Sequence, residues 1–136
     1  MSSIATNENK IILYYNSQTS LGKQTLPYVK ASERKIRTVD ISKINVTGTQ
    51  WATIADELGL SIVDLINKKH PDFQANYNET TKLSQDGWIK VLNANPETLK
   101  CPILITGNKY HLIETPSKVV SLLKVKGEDI DAQNQK

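Results

Sequence analysis

The stretch KIILYYNSQTSLGKQTL, residues 10–26, decides how the rest of the chain is read. Its apolar run from Ile11 to Tyr15 is short and continuous, the pattern of a strand covered on both faces. A polar loop, Asn16-Ser17-Gln18-Thr19-Ser20, follows at once. Leu21, Thr25, Tyr28 and Val29 then recur at helical spacing, with Ser17, Thr19 or Ser20 as N-cap. Pro27 falls inside that pattern and predicts a kink, because it removes a backbone donor and crowds the preceding turn. A strand feeding a helix through a tight loop aims the helix's first N–H groups outward. Such a junction suits a nucleophile, yet this loop contains no sulfur.

Working outward, KIRTVDI (35–41) is rich in β-formers and predicts a second strand. Two strands joined by a helix pair in parallel with a right-handed crossover. The middle of the chain shows no strand pattern. Thr47 with Gln50 matches a capping box, Trp51, Ile54, Ala55 and Leu58 share a face, and Gly59 is placed to end that helix. A second helix is predicted from Ser61 to the residues before Pro71, with Lys68, Lys69 and His70 as its solvated end. A third follows the cap Ser84 and carries Trp88, Ile89, Val91 and Leu92. Strands return in CPILITG and KYHLIE, joined at Gly107-Asn108, and Thr115-Pro116 reads as the start of a last helix. This order predicts an α/β fold: a thioredoxin-like four-stranded mixed sheet with flanking helices and an all-helical insertion. Residues 8–45 and 98–126 form one discontinuous core domain, 46–97 the insertion, and 127–136 a flexible tail.

Composition narrows the function classes. The 136 residues are 38% hydrophobic and 23% charged, as in a globular domain. One cysteine, Cys101, excludes an intramolecular disulfide and suits a reducing compartment. No apolar segment approaches the ~20 residues of a membrane helix, and MSSIATNENK lacks the features of a signal peptide. A cytoplasmic location and no membrane contact are expected. The net charge of +3 is mild and scattered, so direct nucleic-acid binding is not expected. His70 and His111 lack ligand partners in sequence, and no metal site is expected. Asp56, Glu57 and Asp64 read as exposed helix charges, and Trp51 and Trp88 as core of the insertion.

YYN at 14–16, Thr25-Leu26, GLS at 59–61, LINKKHPDF at 65–73, CPILIT at 101–106 and TPSKVV at 115–120 resemble, in their order and spacing, the arsenate reductase/Spx family (the ArsC type) of glutaredoxin-related proteins. The resemblance covers roughly residues 10–124. Its enzymes carry a loop of the form N-P-x-C-x-x-S after the first strand. Laid on this chain, the asparagine is Asn16, the proline falls on Ser17 and the nucleophilic cysteine on Thr19. The second cysteine of the Spx-like members falls on Gly22. Family arginines that hold the oxyanion fall on Asn67, Cys101 and Thr115. Pro102 is retained, and the resemblance implies a cis peptide bond there.

Arsenate reduction needs a thiolate, and a threonine hydroxyl stays un-ionised at neutral pH. The expectation is therefore a degenerate, non-catalytic relative without a cofactor, acting as a binding or regulatory module. Another protein is its candidate partner, and the oligomeric state stays open. Two alternatives remain: a thiol oxidoreductase using Cys101 with glutathione or thioredoxin, and a weak small-anion site on the loop Asn16, Ser17, Gln18, Thr19, Ser20 and Gly22. The outward backbone N–H groups and hydroxyls of that loop motivate the second.

Overall fold

Side chains alternate along β1 (Ile11–Tyr15), and every one is buried. Ile11, Leu13 and Tyr15 enter one apolar cluster, and Ile12 and Tyr14 the other. Both faces of this strand are therefore covered, as its continuous apolar run requires. The structure, a computed structural model, describes residues 10–124. The predicted tail 127–136 lies outside the described residues.

The sheet has the order β2-β1-β3-β4, with β2 at Arg37–Asp40, β3 at Ile103–Thr106 and β4 at Lys109–Leu112. β1 pairs parallel to β2 and antiparallel to β3, and β3 pairs antiparallel to β4. Gly107 opens the two-residue β3–β4 turn at φ 65°, a left-handed value that a β-carbon disfavours. The observed β2 is shorter than the predicted strand 35–41, because Lys35 and Ile36 precede the ladder with β1.

Helix α1 (Ser20–Ala31) and helix α5 (Lys118–Lys124) cover one face, burying Val29, Val119 and Leu123 against Leu13 and Leu104. α1 runs continuously through Pro27, whose lost donor shortens no part of the helix. Two residues earlier, the buried Thr25 hydroxyl donates to the Leu21 carbonyl at 2.7 Å. α5 begins at Lys118 rather than at Pro116. Thr115 and Pro116 instead lend their carbonyls to the Lys118 and Val119 N–H groups in the turn that leads in.

The other face carries α2 (Gly48–Leu58), α3 (Pro71–Gln74) and α4 (Gln85–Ala94). Thr47 and Gln50 form the predicted capping box, Gly59 ends α2 at φ 72°, and Ser84 caps α4. Trp51 is fully buried and donates from its indole nitrogen to Asn93 Oδ1 at 3.0 Å; Trp88 stacks on Phe73. Their cluster is continuous with Ile12, Tyr14, Val39, Ile103 and Ile105 of the sheet, so insertion and sheet share one core.

The predicted second helix of the insertion is not formed. Residues Ile62–Leu65 make a single 3-10 turn, after which Ile66 becomes extended and bridges Leu99 antiparallel. Asn67 N–H donates to Thr98 O and Lys100 N–H to Leu65 O, both at 2.7 Å. These long-range bonds take the backbone groups a helix would have used. Lys68 and Lys69 accordingly lie in a turn, and His70 is the N-cap of α3 rather than the end of a preceding helix.

Candidate functional site at the start of helix 1

Thr19 is the N-cap of α1, with φ −100° and ψ 153°. Its hydroxyl accepts the Gly22 N–H at 3.1 Å and donates to the Asn16 carbonyl at 3.0 Å. The Thr19 oxygen is thus engaged as both donor and acceptor in closing the helix. Asn16, buried at the end of β1, accepts the Gln18 N–H on its Oδ1 at 2.8 Å. Gly22 is fixed by space: a β-carbon there would overlap the Asn16 carbonyl oxygen and press on Thr19 Oγ1.

Ser17 turns away from the loop's open side. Its N–H donates to Asp40 Oδ1 at 3.1 Å, and Ser42 donates to the same oxygen from its N–H at 3.1 Å and its hydroxyl at 2.7 Å. Burial alone would raise the Asp40 pKa, but the combined hydrogen bonds from Ser17 and Ser42 outweigh it and hold the carboxyl below its ordinary value. A depressed carboxylate pKa contributes stability that is complete above the unfolded value and lost as pH falls through the folded one. Asp40→Ala is expected to lower stability by about 1–2 kcal/mol at pH 7. The gap from wild type should close as the pH drops below 3.8, the ordinary aspartate value. Urea titrations from about pH 2.5 to about pH 7 measure it.

The loop forms one wall of a cavity of about 380 Å³. Asn16, Gln18, Thr19 and Ser20 come from the loop, and Asn67, His70 and Glu97 from the insertion. Leu99, Lys100, Cys101 and Pro102 close it from the segment leading into β3. Of the residues singled out in the sequence, Ser17, Gly22 and Thr115 do not line it: Ser17 faces Asp40, Gly22 lies under the loop, and Thr115 is exposed ahead of α5. The peptide bond before Pro102 is trans, against the cis bond the resemblance implies. The ordinary preference of an X–Pro bond for trans, about 0.5–1 kcal/mol, is not overridden here.

Cys101 is 4% exposed. Burial first, and the Glu114 charge second, push its thiol up to about 11, against the opposing influence of Lys100, Lys118 and the Ile113 N–H. At neutral pH it is a thiol. His70 accepts the Asp72 N–H on Nδ1 at 3.0 Å, which leaves Nε2 as the protonated nitrogen. Burial, then the neighbouring Asp72 carboxyl, raise the Glu97 pKa, and His70 partly offsets them. Lys100 is exposed and is the one Lys or Arg side chain lining the cavity among the described residues.

His70, Glu97 and Lys100 are the cavity residues that sequence reasoning missed. His70 read as a surface residue, and Lys100 could have been found from its place beside Cys101-Pro102. Nothing in the local pattern marked Glu97, which a 3-10 turn at Pro96–Thr98 brings to the rim. His111 stays outside the cavity, its Nε2 within 3.2 Å of Thr106 Oγ1. Burial, with Lys118 and Lys109 nearby, holds its imidazole below the usual value. Among the described residues, no group of three His, Cys, Asp or Glu side chains is arranged to hold a metal ion, and no helix is long and apolar enough to cross a membrane.

No protein-family model and no curated protein matches the chain. Solved structures do. An arsenate reductase from Vibrio cholerae is similar over 87% of this chain and 98% of its own, at 15% identity and a TM-score of 0.70. A Yersinia pestis protein with a provisional arsenate reductase assignment matches over 82% and 99%, at 20% identity and a TM-score of 0.71. An arsenate reductase (ArsC) related protein from Brucella melitensis matches over 91% and 98%, at 13% identity and a TM-score of 0.60. Sequence identity this low carries the architecture and no more. In architecture the chain is an α/β protein with the thioredoxin-like fold of the arsenate reductase structures.

Proposed function

We propose that this chain is a non-catalytic protein on the arsenate reductase fold, acting as a binding or regulatory module through the cavity at the start of α1. The observation that carries this reading is the Thr19 hydroxyl, which falls where the resemblance puts the nucleophile and is engaged by the Gly22 N–H and the Asn16 carbonyl. An un-ionised hydroxyl already engaged as both donor and acceptor is no substitute for a thiolate. Asn67, Cys101 and Thr115, where the resemblance puts arginines, supply no cation for an oxyanion's developing charge. No cofactor is needed for this role, and a protein partner in the cytoplasm fits it.

A second reading, a glutathione- or thioredoxin-linked oxidoreductase, is motivated by the presence of Cys101 on the cavity wall. Its raised pKa weighs against it, since only about one thiol in ten thousand would be ionised at pH 7. The test of both is arsenite formation from arsenate with glutathione and glutaredoxin, or with thioredoxin and its reductase. The expected result is no arsenite above the protein-free blank. Turnover that vanishes in Cys101→Ser would replace the binding reading with the thiol enzyme. Turnover that survives that substitution would overturn both.

A further inference from the structure

The loop side of the cavity carries three hydrogen-bond donors without protein acceptors among the described residues. Asn16 is 5% exposed; its Oδ1 is occupied by the Gln18 N–H, and its Nδ2 has no acceptor among the described residues. The backbone N–H groups of Ser20 and Leu21, in the first turn of the 12-residue α1, are likewise without protein acceptors among those residues. A buried amide donor left open on a cavity wall is costly unless something accepts from it. With the N-terminal end of the helix dipole beside it, the acceptor it suits carries negative charge.

Size and charge then limit the ligand. At about 380 Å³ the cavity falls within the range of small-molecule sites, roughly 300–1,000 Å³, and is roomier than a bare tetrahedral oxyanion needs. Lys100 and Glu97 both line the cavity, so a dianion there would meet one cation and one acid. A single negative charge is the better match. Leu21, Leu99 and Pro102 add apolar surface that a bare oxyanion would leave wet, and Glu97 offers an acceptor at the insertion side.

We infer that the cavity takes a small organic monocarboxylate, its carboxylate on the Asn16, Ser20 and Leu21 donors beside Lys100, and an amino or hydroxyl group toward Glu97. This rests on the reading that the loop binds rather than reacts. The experiment is titration of the full chain with glycylglycine, glycylglycinamide and sodium sulfate, followed by amide chemical shifts and calorimetry. Glycylglycine is expected to bind saturably, moving the Ser20 and Leu21 amides and the Asn16 side-chain amide. Masking the carboxylate in glycylglycinamide should weaken binding about tenfold or more, as should Lys100→Gln, each removing one charged hydrogen bond. The exposed position of Lys100 leaves the fold of that variant intact, which its amide spectrum checks. Sulfate binding as tightly as glycylglycine, equal binding of the amide, or no binding of glycylglycine would each overturn the inference and leave the non-catalytic reading standing. Arsenite formation would overturn that reading instead.

Discussion

Gly22→Ala is expected to cost about 3 kcal/mol or more, at the upper end of what overpacking a filled site does. The added carbon would occupy the space of the Asn16 carbonyl oxygen, which also receives the Thr19 N–H at 3.2 Å and the Thr19 hydroxyl at 3.0 Å. Backbone cannot rotate aside as a side chain can. Relief must therefore come from lifting the whole first turn of α1 off the end of β1, opening the cap and the cavity wall together. Gly48→Ala is the internal control. It sits at the first position of α2, where the nearest atoms to an added carbon are Ile89 Cδ1 at 3.8 Å and Cγ2 at 3.9 Å. Reduced freedom of the unfolded chain should then stabilise by about 0.4–1 kcal/mol. Urea midpoints of the two variants are expected to move in opposite directions, and a mild loss in Gly22→Ala would show that the loop has room the geometry denies it.

Thr19→Cys should introduce a reactive thiol without conferring arsenate reduction. A thiol at the N-cap of α1 meets the positive end of the helix dipole and lies half-buried, whereas Cys101 is 4% exposed with its pKa pushed up to about 11. At an ordinary value near 8.5, the new thiol is about 3% ionised at pH 7 against about 0.01% for Cys101, a ratio of roughly 300. The lower intrinsic nucleophilicity of a lower-pKa thiolate returns about a factor of ten of that, and better access adds to what is left. Alkylation by iodoacetamide, located by mass spectrometry, is expected to be between about ten and a hundred times faster at the new site. The lost cap should cost about 1 kcal/mol. Arsenite should still not form, because Asn67, Cys101 and Thr115 leave the oxyanion without guanidinium partners. Arsenate turnover by Thr19→Cys alone would mean that a thiol at this position suffices for the reaction without guanidinium groups.

The fold was legible where local chemistry and tertiary contacts agree. The apolar run of Ile11–Tyr15, the Thr47–Gln50 box, Gly59 and Ser84 each state a local preference that the structure keeps. The reading failed between Ile62 and His70, where apolar spacing suggested a helix. There the decisive partner is Leu99, more than thirty positions away, and pairing with it draws Ile66 into an extended conformation. A pattern within one window cannot register a bridge of that span. The candidate site divides in the same way. Asn16, Gln18, Thr19, Ser20, Asn67, Cys101 and Pro102 could be named from sequence, whereas His70 and Glu97 reach the cavity only through the turns that flank the bridge.

That bridge also determines how the cavity can deform. The strand-like contact between Ile66 and Leu99 clamps the wall bearing Asn67 to the wall bearing Lys100, and the Ser17 N–H bond to Asp40 Oδ1 moors the opposite loop to the end of β2. Neither side can swing without breaking hydrogen bonds, so the chamber behaves as a mould rather than a jaw. An occupant would be chosen by its outline on arrival, and little of its binding energy would be spent on ordering the protein around it.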